Sequence, residues 1–413
     1  MTSDGTAAGR SKDRIDPNTG TCWSIPPEEL NPSRRRDLRR CRIFPIDPTT
    51  ARDLDDALSI WPTASGHYRV GVHIADVSYF VRSNSVLDKE AEHRATTIYL
   101  VHKAIPMLPP ILCEQLCSLN PNVDRLAFSV FFTMTSDGLV LEDTAPDGSA
   151  LAPEDRPWYG RTIIRCCARL DYDCAQRMID LHRDSTAAGT VVPIDTLAAA
   201  IPTRAVPLPA SGHTLQNIVD DVVLLNNIAI ERRKRRFAAG SVSLQRVKLQ
   251  FDLDKERLPT GFHSYVQKDT NRLVEEYMLL ANQMVARRLV VFCAQYALLR
   301  RHAPPKHKGV NALLDTCALH DISLDMTSSR SLHRSLQQLH RSGAKRGTSG
   351  DAGFLLNQVL ETLITKPMQP AVYFCTGDVP NVEDWRHYAL CFDAYTHFTR
   401  LFADTPMWWC IAC

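Results

Sequence analysis

The stretch Ile46–Leu58 reads I-D-P-T-T-A-R-D-L-D-D-A-L and places four carboxylates, Asp47, Asp53, Asp55 and Asp56, within ten residues, between two apolar β-like runs. No other feature limits the possible folds as strongly. Asp is seldom buried unless it is paired or bound to a metal, and carboxylates this close repel one another in a partly dry site. In an extended chain Asp53 and Asp55 point to one side and Asp56 to the other. Convergence therefore requires the segment to leave strand geometry, and the Asp47-Pro48-Thr49-Thr50 turn provides the place. Two outcomes remain: a solvated cluster of turn carboxylates, or a site for divalent cations. Oxygen-rich sets suit hard ions, and magnesium takes a few carboxylates together with substrate phosphates. An EF-hand fails on spacing, because counting from Asp53 the sixth position is Leu58 and the twelfth is Ala64. We expect a magnesium site for phosphodiester chemistry, in which two ions about 4 Å apart activate water and stabilise the leaving oxygen. Such chemistry needs no Ser/His/Asp triad, and none stands at recognisable spacing.

Charge bears on what reaches that site. The 413 residues carry 48 Lys and Arg against 46 Asp and Glu, a net charge of +2. Affinity for nucleic acid must then come from local patches, for which Arg34–Arg42, Arg232–Arg236 and Arg300–Lys308 are candidates. The 13 cysteines are odd in number and scattered, which argues against a disulfide framework and for a reducing compartment. Cys113-x-x-x-Cys117, Cys166-Cys167 and Cys410-x-x-Cys413 do not form a paired zinc pattern. No apolar run approaches the roughly 20 residues of a membrane span, and a cytoplasmic setting is expected.

Taken in order, residues 1 to about 31 are polar and rich in Gly, Ser and Pro and read as mostly disordered; the basic run 34–42, a solvated face or a phosphate contact close to the metals, completes a disordered or basic N-terminal segment, 1–42. Short strands are expected at Cys41–Ile46 and Ala57–Trp61, an alternating strand at Tyr68–Ile74, and a helix opened by Ser85. Thr97–Leu100 is β-like, and Leu126–Thr133 with Leu139–Glu142 reads as a hairpin. Asp143–Pro157 reads as a surface insertion, Arg161–Cys166 as a strand, Asp171–His182 as a helix and Ser185–Gly212 as a loop. Leu215–Phe237 has apolar residues on one helical face, and Thr270–Phe292 is a second long helix. Val247–Leu253 and Ala371–Cys375 are β-like, and helices are expected at Val310–His320, Ser329–Arg341 and Ala352–Ile364. Strands first and helices later argue for an α+β fold. His73 and His397 have no metal-ligand partner at i+4 and read as structural.

Several long motifs then occur in a fixed order: D-P-T-T-A-R-D-L-D-D-A-L, G-V-H-I-A-D-V-S-Y-F-V, L-D-K-E-A-E-H-R-A-T-T-I-Y-L, I-P-M-L-P, L-C-S-L-N-P, L-D-Y-D-C-A-Q, L-V-E-E-Y-M-L-L-A-N and Y-T-H-F-T. Together they resemble the catalytic domain of the RNase II (RNB) exoribonuclease family from about Ile43 to Thr399. The wording is most similar to the eukaryotic branch that lacks a PIN domain, acts apart from the exosome and favours oligouridylated RNA. The resemblance implies an incomplete RNB-type catalytic domain at 43–399, with a mixed sheet around the aspartate loop and several long helices. It implies processive 3′→5′ hydrolysis of single-stranded RNA to nucleoside 5′-monophosphates by a monomer, with magnesium, or manganese in its place. Asp47, Asp53, Asp55 and Asp56 match the four acidic positions, with Asp53 and Asp55 catalytic and the loss of Asp55 sparing RNA binding. Tyr99 and Tyr172 match aromatics of the terminal-nucleotide site. Glu275 and Glu276 match an acidic pair, one of which helps hold the end of the RNA.

The sequence also departs from that pattern. After Y-T-H-F-T the family continues S-P-I-R-R-[FY], whose arginines approach the scissile phosphate. This chain reads Arg400-Leu401-Phe402-Ala403-Asp404 and ends in a divergent tail, 400–413. A C-terminally truncated form is expected, lacking the flanking RNA-binding domains as well. Two other readings stay open. One is a non-catalytic RNA-binding or regulatory fragment, and the other is a magnesium phosphohydrolase acting on small substrates. Cys410-Ile-Ala-Cys413 has the shape of a prenylation box, but with an unusual last residue and no preceding basic run.

Overall fold

In this computed structural model, the structure describes residues 23–399 except 191–195, 197–198, 207–210, 243–248, 257 and 346–350. A six-stranded sheet forms the centre. Its strands are β1 (Arg36–Asp37), β3 (Asp56–Pro62), β4 (Tyr68–Ala75), β7 (Asp124–Met134), β8 (Val140–Leu141) and β9 (Trp158–Arg165). The order is β1-β9-β7-β4-β3, with β8 paired to β7. All neighbours are antiparallel except β1 with β9. The strand leading out of the aspartate loop therefore lies at one edge. A second, two-stranded pair joins β2 (Ile46–Asp47) to β10 (Leu170–Asp171) in parallel. Two further pairs stand apart: the hairpin of β5 (Ile98–Tyr99) with β6 (Ala104–Ile105), and that of β11 (Leu249–Leu253) with β12 (Pro259–Ser264).

Helices cover the sheet. After the single turn α1 (Val77–Phe80), α2 (Val86–Arg94) opens at Ser85, whose hydroxyl accepts the Asp88 amide as its sequence implies. The helices α3 (Tyr172–Ala187), α4 (Leu215–Ala239) and α5 (Asp269–Cys293) pack on one another. Leu215, Ile218, Val219, Val222, Leu225 and Ala229 fill the interior, which is the apolar stripe read from the sequence. The Thr214 hydroxyl and the Asn217 side chain cap each other's amides at the start of α4. Gly240 ends it at φ 114, where a Cβ would also lie 2.8 Å from the Arg330 Cβ. A smaller core forms among α6 (His307–Ala318), α7 (Ser329–Lys345) and α8 (Asp351–Thr365). The last pair, β13 (Leu298–Arg301) with β14 (Val372–Cys375), is antiparallel. The mixed α+β architecture expected from the sequence is the observed one.

One expectation is corrected at the front of the chain. Residues 23–31 are packed rather than disordered, and the basic run that follows is not wholly solvated. Trp23 lies 5.1 Å from Phe80, centroid to centroid, and Pro27–Leu30 forms a 3₁₀ turn. Arg35, inside the basic run, is 1% exposed and bonded to Glu29 at 2.5 Å and to Asp76 at 2.7 Å. Composition hid this, because Arg35 is neutralised by a carboxylate 41 positions along the chain, on the far side of β4. The tail 400–413, including Trp408, Trp409 and Cys410–Cys413, lies outside the described residues, as do the first 22.

Across the sheet runs a buried line of polar groups. Ser59 Oγ lies 2.8 Å from His73 Nε2, His73 Nδ1 lies 2.7 Å from Ser129 Oγ, and Ser129 Oγ lies 2.7 Å from Thr162 Oγ1. One residue each comes from β3, β4, β7 and β9. Gly71 makes room for it, since a Cβ there would sit 2.5 Å from Ser59 Oγ and 2.8 Å from His73 Nε2. Burial pushes the His73 imidazole from 6.5 to about 3. The folded chain therefore keeps His73 neutral, whereas the unfolded chain takes up a proton below about pH 6.5. This group's effect on stability is flat above that pH, and stability falls as pH drops toward 3, by about 2 kcal/mol at pH 5. Urea melts at pH 7 and pH 5 are expected to show a drop larger in wild type than in His73→Gln by that amount. Equal drops in the two proteins would refute it.

Candidate active site

The aspartate loop is built from two directions. Pairing of β2 with β10 sets Asp47 opposite Asp171, and Asp171 caps α3 by accepting the Cys174 amide at 2.8 Å. Tyr172, the first residue of α3, is thereby delivered beside Asp47. Asp56 is the first residue of β3 and pairs with Ile74 of β4. Between them the backbone is neither helix nor strand, and it is tied down by distant groups. Ala75 N–H donates to Asp55 O (3.0 Å), Leu119 N–H to Leu54 O (2.9 Å) and Leu54 N–H to Ser118 Oγ (3.1 Å). Ser118 Oγ donates to Arg52 O (3.3 Å), and Arg169 Nη2 to Ala51 O (2.5 Å). The π-helical turn Ile111–Leu116 packs behind the loop with Cys113 buried; single π turns of this kind recur at functional sites.

Electrostatics show that the carboxylates are neighbours. Asp47 is pushed up to about 8, chiefly by burial and then by the charges of Asp56 and Asp53, against which only Arg169 pulls down. Burial, followed by Asp55 and Asp53, pushes the Cys113 thiol to about 12. Tyr172, half-buried, has its phenol raised by burial and then by Asp56 and Asp47. The structure thus brings Asp47, Asp53, Asp56 and Tyr172 together, with Asp53 and Asp55 both close enough to act on Cys113.

A hard divalent cation fits this donor set. Asp47 Oδ2 is buried and meets no hydrogen-bond donor, and the surrounding negative charge is what a cation would offset. Among the described residues, no three His, Cys, Asp or Glu side chains already stand as a metal-ligand group. The aspartates are adjacent without having closed on a common point.

The other expected site residues divide. Tyr99 stands on the β5–β6 hairpin, 66% exposed, with Ile98 and Leu100 also exposed beside it. Glu275 is exposed on α5, with Gln267 Nε2 3.5 Å away. Glu276, by contrast, is turned inward. Arg236 Nε donates to both its oxygens at 3.1 Å and Arg236 Nη2 to Oε1 at 2.5 Å, with the Arg232 charge close by. The acidic pair is therefore split into one exposed and one structural carboxylate, and the basic end of α4 is partly an internal ion pair rather than a solvated face. His73 and His397 hold structural bonds, the latter to Tyr373 OH at 2.6 Å.

Sequence reasoning missed Ser118, Arg169 and Cys113. Ser118 lay inside the L-C-S-L-N-P motif, but nothing in that string reveals contact with a loop 64 residues away. Every cysteine among the described residues is a free thiol, and no helix among them is long and apolar enough to cross a membrane.

The family model described as "RNB domain" matches residues 35–400. The "DIS3-like exonuclease 2" of Xenopus tropicalis is 44% identical over 386 residues, covering 92% of this chain and 42% of the frog protein. A protein of Arabidopsis thaliana named "Inactive exonuclease DIS3L2" is 38% identical over 378 residues, covering 91% of this chain and 32% of that protein. The chain thus spans less than half of the curated relatives it matches. The solved structure "Mycoplasma genitalium RNase R in complex with ribose methylated single-stranded RNA" superposes with a TM-score of 0.71 at 21% identity, covering 94% of this chain and 52% of that one. At that identity the likeness is one of fold.

Proposed function

The chain belongs to the RNB-domain family, and from that membership we propose that it is the catalytic portion, 43–399, of a cytoplasmic, monomeric 3′→5′ exoribonuclease. Its substrate would be single-stranded RNA with a 3′-oligouridine tail, shortened processively to nucleoside 5′-monophosphates. The observation that carries this is Asp47, a buried carboxyl raised by Asp53 and Asp56 with one oxygen left without a donor. A solvated turn cluster would leave no such group. Asp47, Asp53, Asp55 and Asp56 would hold magnesium, with manganese as a substitute. When bound, it would supply a nucleophilic water and charge for the leaving oxygen, in the two-ion manner. The protein's own groups do the rest. Tyr172 presents an aromatic face beside the carboxylates for the terminal base. Tyr99 offers a second, exposed stacking surface; each base stacked on an aromatic is worth about 1–3 kcal/mol. Glu275 is the carboxylate of the pair free to meet the ribose end.

The test uses 5′-labelled single-stranded RNA with an oligouridine tail, incubated with the full chain in magnesium or in chelator. Stepwise shortening from the 3′ end with release of uridine monophosphate, in magnesium alone, is expected. Binding without shortening in either condition would sink the enzyme reading. It would favour the second reading, an RNA-holding fragment, which has support in the relative named inactive.

A further inference from the structure

We propose that Ser118 is a positioning residue of the aspartate loop, acting through the backbone on either side of Asp53; the inference rests on the exoribonuclease reading and deepens it. Ser118 is completely buried. Its hydroxyl accepts the Leu54 amide at 3.1 Å and donates to the Arg52 carbonyl at 3.3 Å. Those two groups belong to the peptide units immediately after and immediately before Asp53. One side chain therefore fixes both peptide planes that aim the Asp53 carboxylate.

The same segment extends the hold by one unit. The amide of Leu119 donates to the Leu54 carbonyl at 2.9 Å, which belongs to the peptide entering Asp55. Ser118 is itself anchored, because Arg125 Nε donates to its carbonyl at 2.9 Å. Arg125 is a buried residue of β7, in the middle of the sheet. The chain of support thus runs from the sheet through Arg125 and Ser118 to a loop that has no secondary structure of its own. Four mutually repelling carboxylates have every reason to splay, and a loop without ladder hydrogen bonds resists that only through such ties. Displacement of a reacting group by about 1 Å costs on the order of 10²-fold in rate, so a tie of this kind governs chemistry without touching substrate.

The full chain is compared with Ser118→Ala, Ser118→Thr and Ser129→Ala. Magnesium binding is measured by calorimetry without RNA, and kcat and KM on the oligouridine-tailed RNA. Ser118→Ala is expected to weaken magnesium binding about tenfold and to lower kcat by about 10²-fold, while KM stays within about threefold. Ser118→Thr keeps the hydroxyl and recovers most of both. Ser129→Ala removes an equally buried serine hydroxyl within the central sheet, away from the aspartate loop, and leaves magnesium binding and kcat as they were. Wild-type magnesium affinity in Ser118→Ala overturns the proposal, as does an equal loss in Ser129→Ala. A wild type that binds magnesium but does not shorten RNA sinks the exoribonuclease reading, while the calorimetric difference still decides the role of Ser118. A wild type that binds no magnesium overturns both.

Discussion

Asp55→Asn is expected to leave RNA bound and to stop its shortening, with a rate loss of about 10³-fold. The change keeps the volume of the side chain and deletes one negative charge. The backbone tie from Ala75 to the Asp55 carbonyl does not depend on the side chain, so the loop keeps its path. In the proposed reading RNA would be held mainly by groups outside the loop, and removing a negative charge near a polyanion would not weaken that hold. Single-turnover rates and filter binding on the same oligouridine-tailed RNA read the two effects separately. Shortening at the wild-type rate would remove Asp55 from the chemistry, and loss of binding together with rate would point to a damaged fold.

Glu276→Gln is expected to act on stability and not on RNA. The Glu276 side chain is 1% exposed and that of Arg236 is 7% exposed, joined by three charge-assisted hydrogen bonds. Neutralising the carboxylate leaves a buried guanidinium with like charges from Arg232 and Arg233 around it. Breaking a buried pair in this way costs about 3–5 kcal/mol. Glu275→Gln, on the exposed side of the same helix, should move stability by less than about 0.5 kcal/mol and weaken capture of the RNA end. Urea midpoints and RNA affinities of the two variants form a crossed comparison. An unchanged midpoint in Glu276→Gln would refute the structural assignment, and an unchanged affinity in Glu275→Gln would remove that carboxylate from the RNA site.

What the sequence made legible was local or periodic. The stripe on Leu215–Phe237, the Ser85 cap and the crowding of Asp47, Asp53, Asp55 and Asp56 are all properties of neighbours along the chain, and the structure realises each. What it concealed was pairing at a distance. Arg35 reads as one of a solvated run because Asp76 is far off in sequence. Glu275 and Glu276 are indistinguishable as letters, and only the placement of α4 against α5 decides which meets Arg236. Ser118 is an ordinary serine until the backbone of Leu54 is set beside it. Hydrogen-bond partners separated by tens of residues leave no periodic trace, so the parts of the site that hold it in place were the parts not foreseen.

The Ser59–His73–Ser129–Thr162 line has a consequence for assembly. Each hydroxyl or ring nitrogen in it is met by a group from the adjacent strand, in a dry interior where an unmet one costs about 1–3 kcal/mol. Sliding any of these strands by two residues would preserve the inward and outward alternation of apolar side chains, and hydrophobicity alone would tolerate it. The polar line would not, because an apolar side chain or a glycine would arrive where a hydroxyl or imidazole is needed. The sheet is therefore keyed: misaligned pairings are penalised during folding as well as after it.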